Sequence, residues 1–195
     1  MIRKLSQTSK NLVVLFLFVF STVAMSFEAN KIENDSEKFS FMLDLGSAEG
    51  DAEADRFGIS ARYNFPGDFI DNPEWSGRLY LELSASYWDG EDGSTGHSSL
   101  FDFGVTPVFR LTRFSQIVNS FVEVGLGAHL HTEDGIDDEN FDIPFAFGSH
   151  IGLGLNFGSR KKMEVMYRFQ HLSNASLGDD NPGINFHLLQ WGVNF

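Results

Sequence analysis

The chain has 195 residues, no cysteine, and 27 acidic against 14 basic side chains, for a formal net charge of −13. Such an acidic protein is a poor nucleic-acid binder, because affinity for nucleic acid comes mainly from neutralising phosphates with Lys and Arg. No segment after residue 26 is apolar for long enough to form a transmembrane helix, and the lack of cysteine fits an exported bacterial protein without disulfides.

The first 26 residues are predicted to be a secretory signal peptide. Basic residues precede an apolar run over 12–20, and Ala24-Met25-Ser26 resembles a small-x-small cleavage site. An N-terminal membrane anchor is the alternative, but the apolar run is short for spanning, which favours cleavage after Ser26. The polar residues 27–37 are then a periplasmic lead-in to a single domain over 38–195.

This domain contains eight segments in which apolar residues alternate with polar or small ones, the period of a β-strand. The predicted strands are Lys38–Leu45, Arg56–Phe65, Arg78–Trp88, Leu100–Leu111, Phe121–His131, Phe145–Phe157, Met163–Asn174 and Ile184–Phe195. The last strand alternates strictly and ends on an aromatic residue, Phe195, as in the insertion signal of bacterial outer-membrane barrels. The apolar face of each strand is therefore expected to face lipid.

The opposite faces carry charged, polar and small residues on almost every strand. Acidic and basic side chains that meet inside a narrow barrel can pair, which limits the cost of removing them from water. The predicted fold is all-β: an eight-stranded antiparallel transmembrane β-barrel with a packed polar lumen, a multi-pass protein of the bacterial outer membrane. A soluble lipocalin-like barrel would need the reverse arrangement, apolar inside and polar outside.

Four connections are acidic and Gly-rich, and with the C-terminus periplasmic they are expected outside the cell: Gly46–Asp55, Asp89–Ser99, Thr132–Asp142 and Ala175–Gly183. Residues 134–140 raise the question of calcium binding, but they lack the ligand spacing and central glycine of an EF-hand loop. A solvated loop is the favoured interpretation. Lumenal histidines are predicted to be structural, so we expect no metal and no cofactor.

The apolar face of the seventh strand is interrupted by His171 and Ser173. Both side chains point to the same side, with backbone positions about 6.6 Å apart, so a base–nucleophile hydrogen bond is possible. Eight residues above Met163, in a barrel tilted near 40°, His171 is expected roughly 20 Å above the periplasmic boundary, near the outer leaflet. Taken alone, the pair is better explained as polar residues at the membrane interface.

The wider segment, His171-Leu172-Ser173-Asn174-Ala175 followed by Asn181-Pro182-Gly183-Ile184-Asn185, resembles the lipid A 3-O-deacylase family. The resemblance is strongest over 167–191 and implies a serine esterase that removes the 3-O-linked acyl chain of lipid A. It assigns Ser173 as the nucleophile and His171 as the general base.

The resemblance also places Asn185 where the best-known members carry a glutamate that orients the histidine. Asparagine can accept the imidazole N–H but lacks the negative charge, so Asp179 or Asp180 is an alternative partner. Asn174, Asn181 and Gly183 are candidates for oxyanion stabilisation or substrate positioning; turn formation explains them equally well, and is favoured for Gly183.

The resulting hypothesis is a membrane-embedded hydrolase with lipid A of lipopolysaccharide as its substrate. The alternative is a non-enzymatic eight-stranded barrel whose acidic loops bind partners or protect the cell surface. The sequence leaves acyl-chain preference and oligomeric state open.

Overall fold

The structure, a computed structural model, describes residues 38–50, 53–91, 93–179 and 182–195. The predicted signal peptide and lead-in, residues 1–26 and 27–37, lie outside these ranges. The strands are β1 (Phe39–Glu49), β2 (Asp55–Asn64), β3 (Ile70–Asp71), β4 (Trp75–Asp89), β5 (Ser99–Arg113), β6 (Asn119–His131), β7 (Gly135–Ile136), β8 (Glu139–Asn140), β9 (Phe145–Phe157), β10 (Met163–Ser173) and β11 (Ile184–Asn194).

Eight long strands form one closed antiparallel barrel. Consecutive long strands pair with each other, and the first and last close the ring through the β1–β11 ladder, in which Ser40 pairs with Asn194 and Glu49 with Asn185. The prediction of an eight-stranded β-barrel is confirmed. Among the described residues no helix is long and apolar enough to cross a membrane.

Strand β1 differs from its prediction, because it continues to Glu49 instead of ending at Leu45. The apolar alternation stops after Leu45, which is why the pattern predicted a loop there. The backbone ladder with β11 nevertheless continues, since pairing uses N–H and C=O groups whatever the side chain. The extension brings Glu49 onto the outer wall.

The outer wall is apolar, as the alternation predicts. About half of the side-chain surface remains exposed at outward positions on strands all around the barrel, including Phe41, Ile59, Leu83, Phe103, Val124, Ile151, Leu153 and Leu189. A ring of large exposed apolar side chains is stable against lipid and unfavourable against water. The barrel therefore presents this wall to the membrane.

The middle of the lumen is filled by an ionic network of three arginines and three glutamates, all buried: Arg62, Arg110, Arg168, Glu82, Glu123 and Glu164. Each arginine bridges two of the glutamates, at N···O distances between 2.6 and 3.0 Å. Every charge in the set thus has oppositely charged partners, which offsets its desolvation. The expected polar packed lumen is confirmed here.

Near the end where β1, β4, β6 and β10 finish, here called the loop end, the lumen contains an apolar cluster that was not predicted. Its buried members are Ala54, Trp88, Leu100, Ile136, Phe141, Ala146, Leu172, Ile184, Phe186 and Leu188. Ile136 comes from the β7–β8 hairpin, so residues 132–142 are not the fully solvated loop that their acidity indicated. Packing in this cluster holds the inward-facing side chains of β10 and β11 in place.

Hydrogen bonds hold the β7–β8 hairpin to the neighbouring loops. Asp137 Oδ2 accepts the backbone N–H of Glu53 at 2.9 Å, and Asp138 Oδ1 accepts that of Ser94 at 2.7 Å. The bond from Ser94 also lowers the pKa of the Asp138 carboxyl. The acidic residues of this segment therefore act as acceptors that fasten one loop to the next.

The ionic network makes a prediction about stability. Glu164→Ala leaves Arg62 and Arg110 each short of one buried counter-charge, so we expect a loss of about 3–5 kcal/mol in the free energy of unfolding. Urea unfolding of the refolded barrel in lipid vesicles measures it. Glu74→Ala, which removes an exposed glutamate, is the control; equal midpoints for the two variants would contradict the role of the network.

Candidate active site

The seam between β10 and β11, at the loop end of the outer wall, brings together two of the predicted site residues. His171 and Asn185 are directly opposite each other in the antiparallel register. Asn185 Oδ1 lies 2.7 Å from Nδ1 of His171. Both side chains are half-buried, and both occupy the alternating strand positions that face lipid.

This hydrogen bond determines how the imidazole can act. An amide oxygen accepts only, so Nδ1 of His171 carries the proton and Nε2 of the neutral ring holds the lone pair. The ring thus presents its basic nitrogen away from Asn185. An imidazole oriented in this way is suited to general-base chemistry.

Two serines flank His171 on the same wall. Ser173 is the last residue of β10 and is half-buried, with Phe147 of β9 opposite it. Ser149 of β9, which the sequence reasoning did not consider, is the direct cross-strand partner of His171 and is exposed. Directly opposed residues lie about 4.5–5.5 Å apart, which places Ser149 beside the imidazole. Ser173 lies two residues along β10 from His171, with backbone positions about 6.6 Å apart and the side chain on the same face. The sequence around Ser149 gives no sign that this residue lies opposite His171, because the register between strands is not encoded locally.

The turn that follows Ser173 has an uncommon backbone. Ala175 and Ser176 both have positive φ, 53° and 62°, in a region that costs a residue with a Cβ about 1–2 kcal/mol. The buried Asn174 stabilises this turn: its Oδ1 accepts the N–H of Ser176 and its Nδ2 donates to the carbonyl of Phe141. These bonds fit a turn-forming role for Asn174; its role toward an oxyanion stays a prediction.

Gly183 lies beside the histidine at the start of β11. Its φ is +69°, and a Cβ built on it would lie 2.9 Å from Cε1 and 3.5 Å from Nε2 of His171. Glycine is therefore required both for the backbone conformation and for the space of the imidazole. This supports the structural interpretation of Gly183, and it places the backbone of the turn next to the basic side of the ring.

The remaining candidates are less informative. Asn181 and Asp180 lie outside the described residues. The backbone N–H of Asp179 donates to Asp142 Oδ2 at 2.8 Å, and the described contacts of Asp179 give it no link to His171. In the part of the chain that the structure describes, no group of three or more His, Asp and Glu side chains is arranged to hold a metal ion.

A second polar group occupies the same wall, beginning in the row of His171 and extending two rows below it. The Tyr167 hydroxyl lies 2.5 Å from Nδ1 of His187, and Nε2 of His187 lies 3.1 Å from a carboxylate oxygen of Glu49. Glu49 was assigned to a loop, so the sequence reasoning missed this arrangement. Only the closure of β1 on β11 places its carboxylate there.

An apolar groove of about 550 Å³ lies on the outer wall farther from the loop end. Its lining includes Leu111, Val122, Leu153, Val165, Tyr167 and Leu189. Tyr167 therefore borders both the groove and the polar group beneath His171.

Comparison with known proteins gives a consistent set of matches. The family model described as lipid A 3-O-deacylase (PagL) matches residues 55–194. The lipid A deacylase PagL of Bordetella bronchiseptica is 29% identical over 169 residues, covering 78% of this chain and 92% of the relative. That of Pseudomonas aeruginosa is 31% identical over 120 residues, covering 60% of this chain and 66% of the relative.

Two solved structures have the same fold. The crystal structure of the outer membrane enzyme PagL superimposes with a TM-score of 0.69 at 23% identity, covering 80% of this chain and 99% of that one. Neisserial surface protein A gives a TM-score of 0.53 at 12% identity, covering 83% of this chain and all of that one. At these identities the structural matches support the barrel architecture alone.

The position of Gly183 makes a prediction about the imidazole. Gly183→Ala places a methyl group against Cε1, so we expect His171 to move and its bond to Asn185 to lengthen. Nitrogen-15 spectra of the histidine rings in detergent micelles should show an altered Nδ1–H signal. Gly96→Ala is the control, because Gly96 also has positive φ, +74°, but open space around it. An identical histidine spectrum in the Gly183 variant and the parent would contradict the prediction.

Proposed function

The chain belongs to the lipid A 3-O-deacylase (PagL) family, and we propose that it hydrolyses the 3-O-linked acyl ester of lipid A as a serine esterase in the outer leaflet of the outer membrane. Its family and its barrel make it an outer-membrane hydrolase that acts on lipid A. The observation that carries the proposal is the His171–Asn185 hydrogen bond on the lipid-facing wall, beside Ser173.

In the first half of the reaction, Ser173 Oγ attacks the carbonyl carbon of the ester while Nε2 of His171 takes the hydroxyl proton. Asn185 Oδ1 holds the Nδ1–H and so keeps the ring in the tautomer that can accept this proton. When the tetrahedral intermediate collapses, the bond to the sugar oxygen breaks and His171 returns the proton to that oxygen. The deacylated lipid leaves, and the acyl chain stays on Ser173.

In the second half, water replaces the sugar oxygen. His171 takes a proton from the water as it attacks the acyl-serine carbonyl, and the ester bond to Ser173 then breaks. The proton returns to Oγ, and the free fatty acid is released. Both tetrahedral intermediates carry negative charge on oxygen, for which Asn181 and backbone N–H groups of the turn near Gly183 are the proposed donors.

Ser173 is preferred to Ser149 as the nucleophile for two reasons. Ser173 is the serine of the segment that resembles the family, and it lies two residues before the strained turn at Ala175 and Ser176. Strained backbone is common at active sites, and it persists only where the surrounding structure stabilises it. Ser149 lies in a regular part of β9 with no such feature.

The position on the wall suits a lipid substrate. A nucleophile on the outside of the barrel reaches an ester in the outer leaflet without a tunnel through the lumen, which the ionic network fills. From Ser173 the acyl chain is proposed to run past Phe169 and Tyr167, with Trp191 on the adjacent strand, into the apolar groove. No cofactor takes part in these steps.

The first test of the function is the mass of lipid A. Expression of the parent in a host with fully acylated lipid A should give a species lighter by one acyl chain, and Ser173→Ala should abolish that species. Ser149→Ala is the matched control and should keep the activity. His171→Asn should also abolish it, since the base is lost.

The opposite outcomes have clear meanings. Loss of activity in Ser149→Ala but not in Ser173→Ala would assign the nucleophile to β9. Unchanged lipid A with the well-folded parent in several hosts would favour the alternative, a non-enzymatic surface barrel. Heat-modifiable migration on gels monitors folding in every variant.

A further prediction concerns Asn185. Asn185→Ala should lower kcat about 10- to 100-fold, because the imidazole loses its orienting acceptor, while KM changes little. Asn185→Glu should keep or raise kcat, since a carboxylate stabilises imidazolium, and should move the pH profile to higher pH, where the ring becomes free to accept a proton. Initial rates against pH measure both effects. If both variants match the parent in rate and pH dependence, Asn185 has no part in catalysis.

A further inference from the structure

Tyr167, His187 and Glu49 form a continuous hydrogen-bonded chain across three strands of the lipid-facing wall. The Tyr167 hydroxyl lies 2.5 Å from Nδ1 of His187, whose Nε2 lies 3.1 Å from Oε2 of Glu49. All three side chains remain accessible, with 46%, 41% and 58% of their surfaces exposed. The mechanism above uses neither His187 nor Glu49.

The chemistry of the three groups sets the direction of the chain. An ionised carboxylate can only accept, so Nε2 of the neutral His187 ring must donate to Glu49. Nδ1 of that ring then holds the lone pair and accepts the Tyr167 O–H. The phenol proton is thereby used within the protein, and the lone pairs of the phenol oxygen remain available. Tyr167 is left as an acceptor for a donor from outside.

Polar outward residues continue along neighbouring strands at the loop end, where Ser47 pairs with Asp55 and Asp55 with Asp89. The chain of Tyr167, His187 and Glu49 is set apart by its position beside the His171–Asn185 pair. Glu49 is the cross-strand partner of Asn185, and His187 lies two residues from Asn185 on β11. The polar chain therefore belongs to the region where the scissile ester is proposed to lie.

The register spreads the chain over three rows of the wall, with Glu49 in the row of His171, His187 one row below and Tyr167 two rows below. His171, Asn185 and Glu49 form one cross-strand row, and Phe169, His187 and Ser47 form the next row toward the groove. Adjacent rows on one face are about 6.6 Å apart. Because the Tyr167 hydroxyl reaches His187, a lipid whose ester lies beside His171 passes His187 and the phenol oxygen on its way toward the groove.

We propose that Tyr167 accepts a hydrogen bond from a hydroxyl or amide N–H of the lipid substrate close to the scissile ester, with His187 and Glu49 as positioning residues. This inference rests on the proposed function. Such a site discriminates between substrates, because a lipid without the donor leaves a desolvated acceptor without a partner. The seam would then select lipids by a polar group as well as by chain length.

The experiment measures binding in the Ser173→Ala background, so that no turnover is required. Native mass spectrometry of the folded barrel compares equimolar pairs of synthetic glycolipids. In the first pair, one lipid carries a 3-hydroxymyristoyl ester and the other a myristoyl ester. In the second pair, the chain next to the scissile ester is amide-linked in one lipid and ester-linked in the other. We expect the donor-bearing lipid to be favoured about five- to tenfold in one pair, which identifies the donor as hydroxyl or amide.

Three variants separate this role from a structural one. Tyr167→Phe should bring the ratio of bound donor-bearing lipid to bound donor-lacking lipid close to one. Glu49→Gln should reduce the ratio about two- to threefold, because an amide no longer imposes a single His187 tautomer. Tyr63→Phe, which removes the hydroxyl of an exposed tyrosine on β2, should keep the parent's ratio.

Equal binding within both pairs, or a parent-like ratio in Tyr167→Phe, overturns the inference. Hydrolysis of the same lipids by the protein with Ser173 intact is recorded separately. A preserved binding preference without hydrolysis would contradict the proposed function and support this inference. If Tyr167→Phe does not fold, the Glu49→Gln ratio decides the inference: a value equal to that of the parent overturns it.

Discussion

The closed backbone ladder is the constraint on which the rest of this molecule depends. Hydrocarbon offers no partner for N–H and C=O groups, so a sheet in a membrane must pair every edge, and here β1 and β11 close the ring. The β10–β11 ladder places His171 opposite Asn185, and the closing β1–β11 ladder adds Glu49 to the same cross-strand row. The arrangement of the candidate site therefore follows from the pairing of these three strands.

Residues packed in the lumen support the strands that carry the row of His171, Asn185 and Glu49. Charge pairing among Arg62, Arg110, Arg168 and three glutamates fills the middle of the lumen, while Leu172, Ile184 and Phe186 pack in the apolar cluster at the loop end. These three apolar residues lie on β10 and β11 and alternate with the site residues. A functional group carried by packed strands keeps its geometry better than one carried by a free loop.

The outer wall combines two chemistries on one seam. His171 is hydrogen-bonded to the neutral Asn185, and His187 to the Glu49 carboxylate. Glu49, the carboxylate in the row of His171, is thus paired with His187. In the proposed function, the asparagine orients the base while the charged group on the same wall contributes to substrate recognition.

The sequence by itself determined the strands and which face of the wall carries three residues of the candidate site. Side chains alternate in every strand, so the period-two pattern identified all eight long strands and the outward parity of His171, Ser173 and Asn185, while the resemblance to the family supplied their roles. Only the tertiary structure decided that β1 continues to Glu49, that the β7–β8 hairpin buries Ile136, and that Ser149 lies opposite His171. These features depend on pairing between strands, which is set by backbone register and ring closure, and neither leaves a pattern in the local sequence.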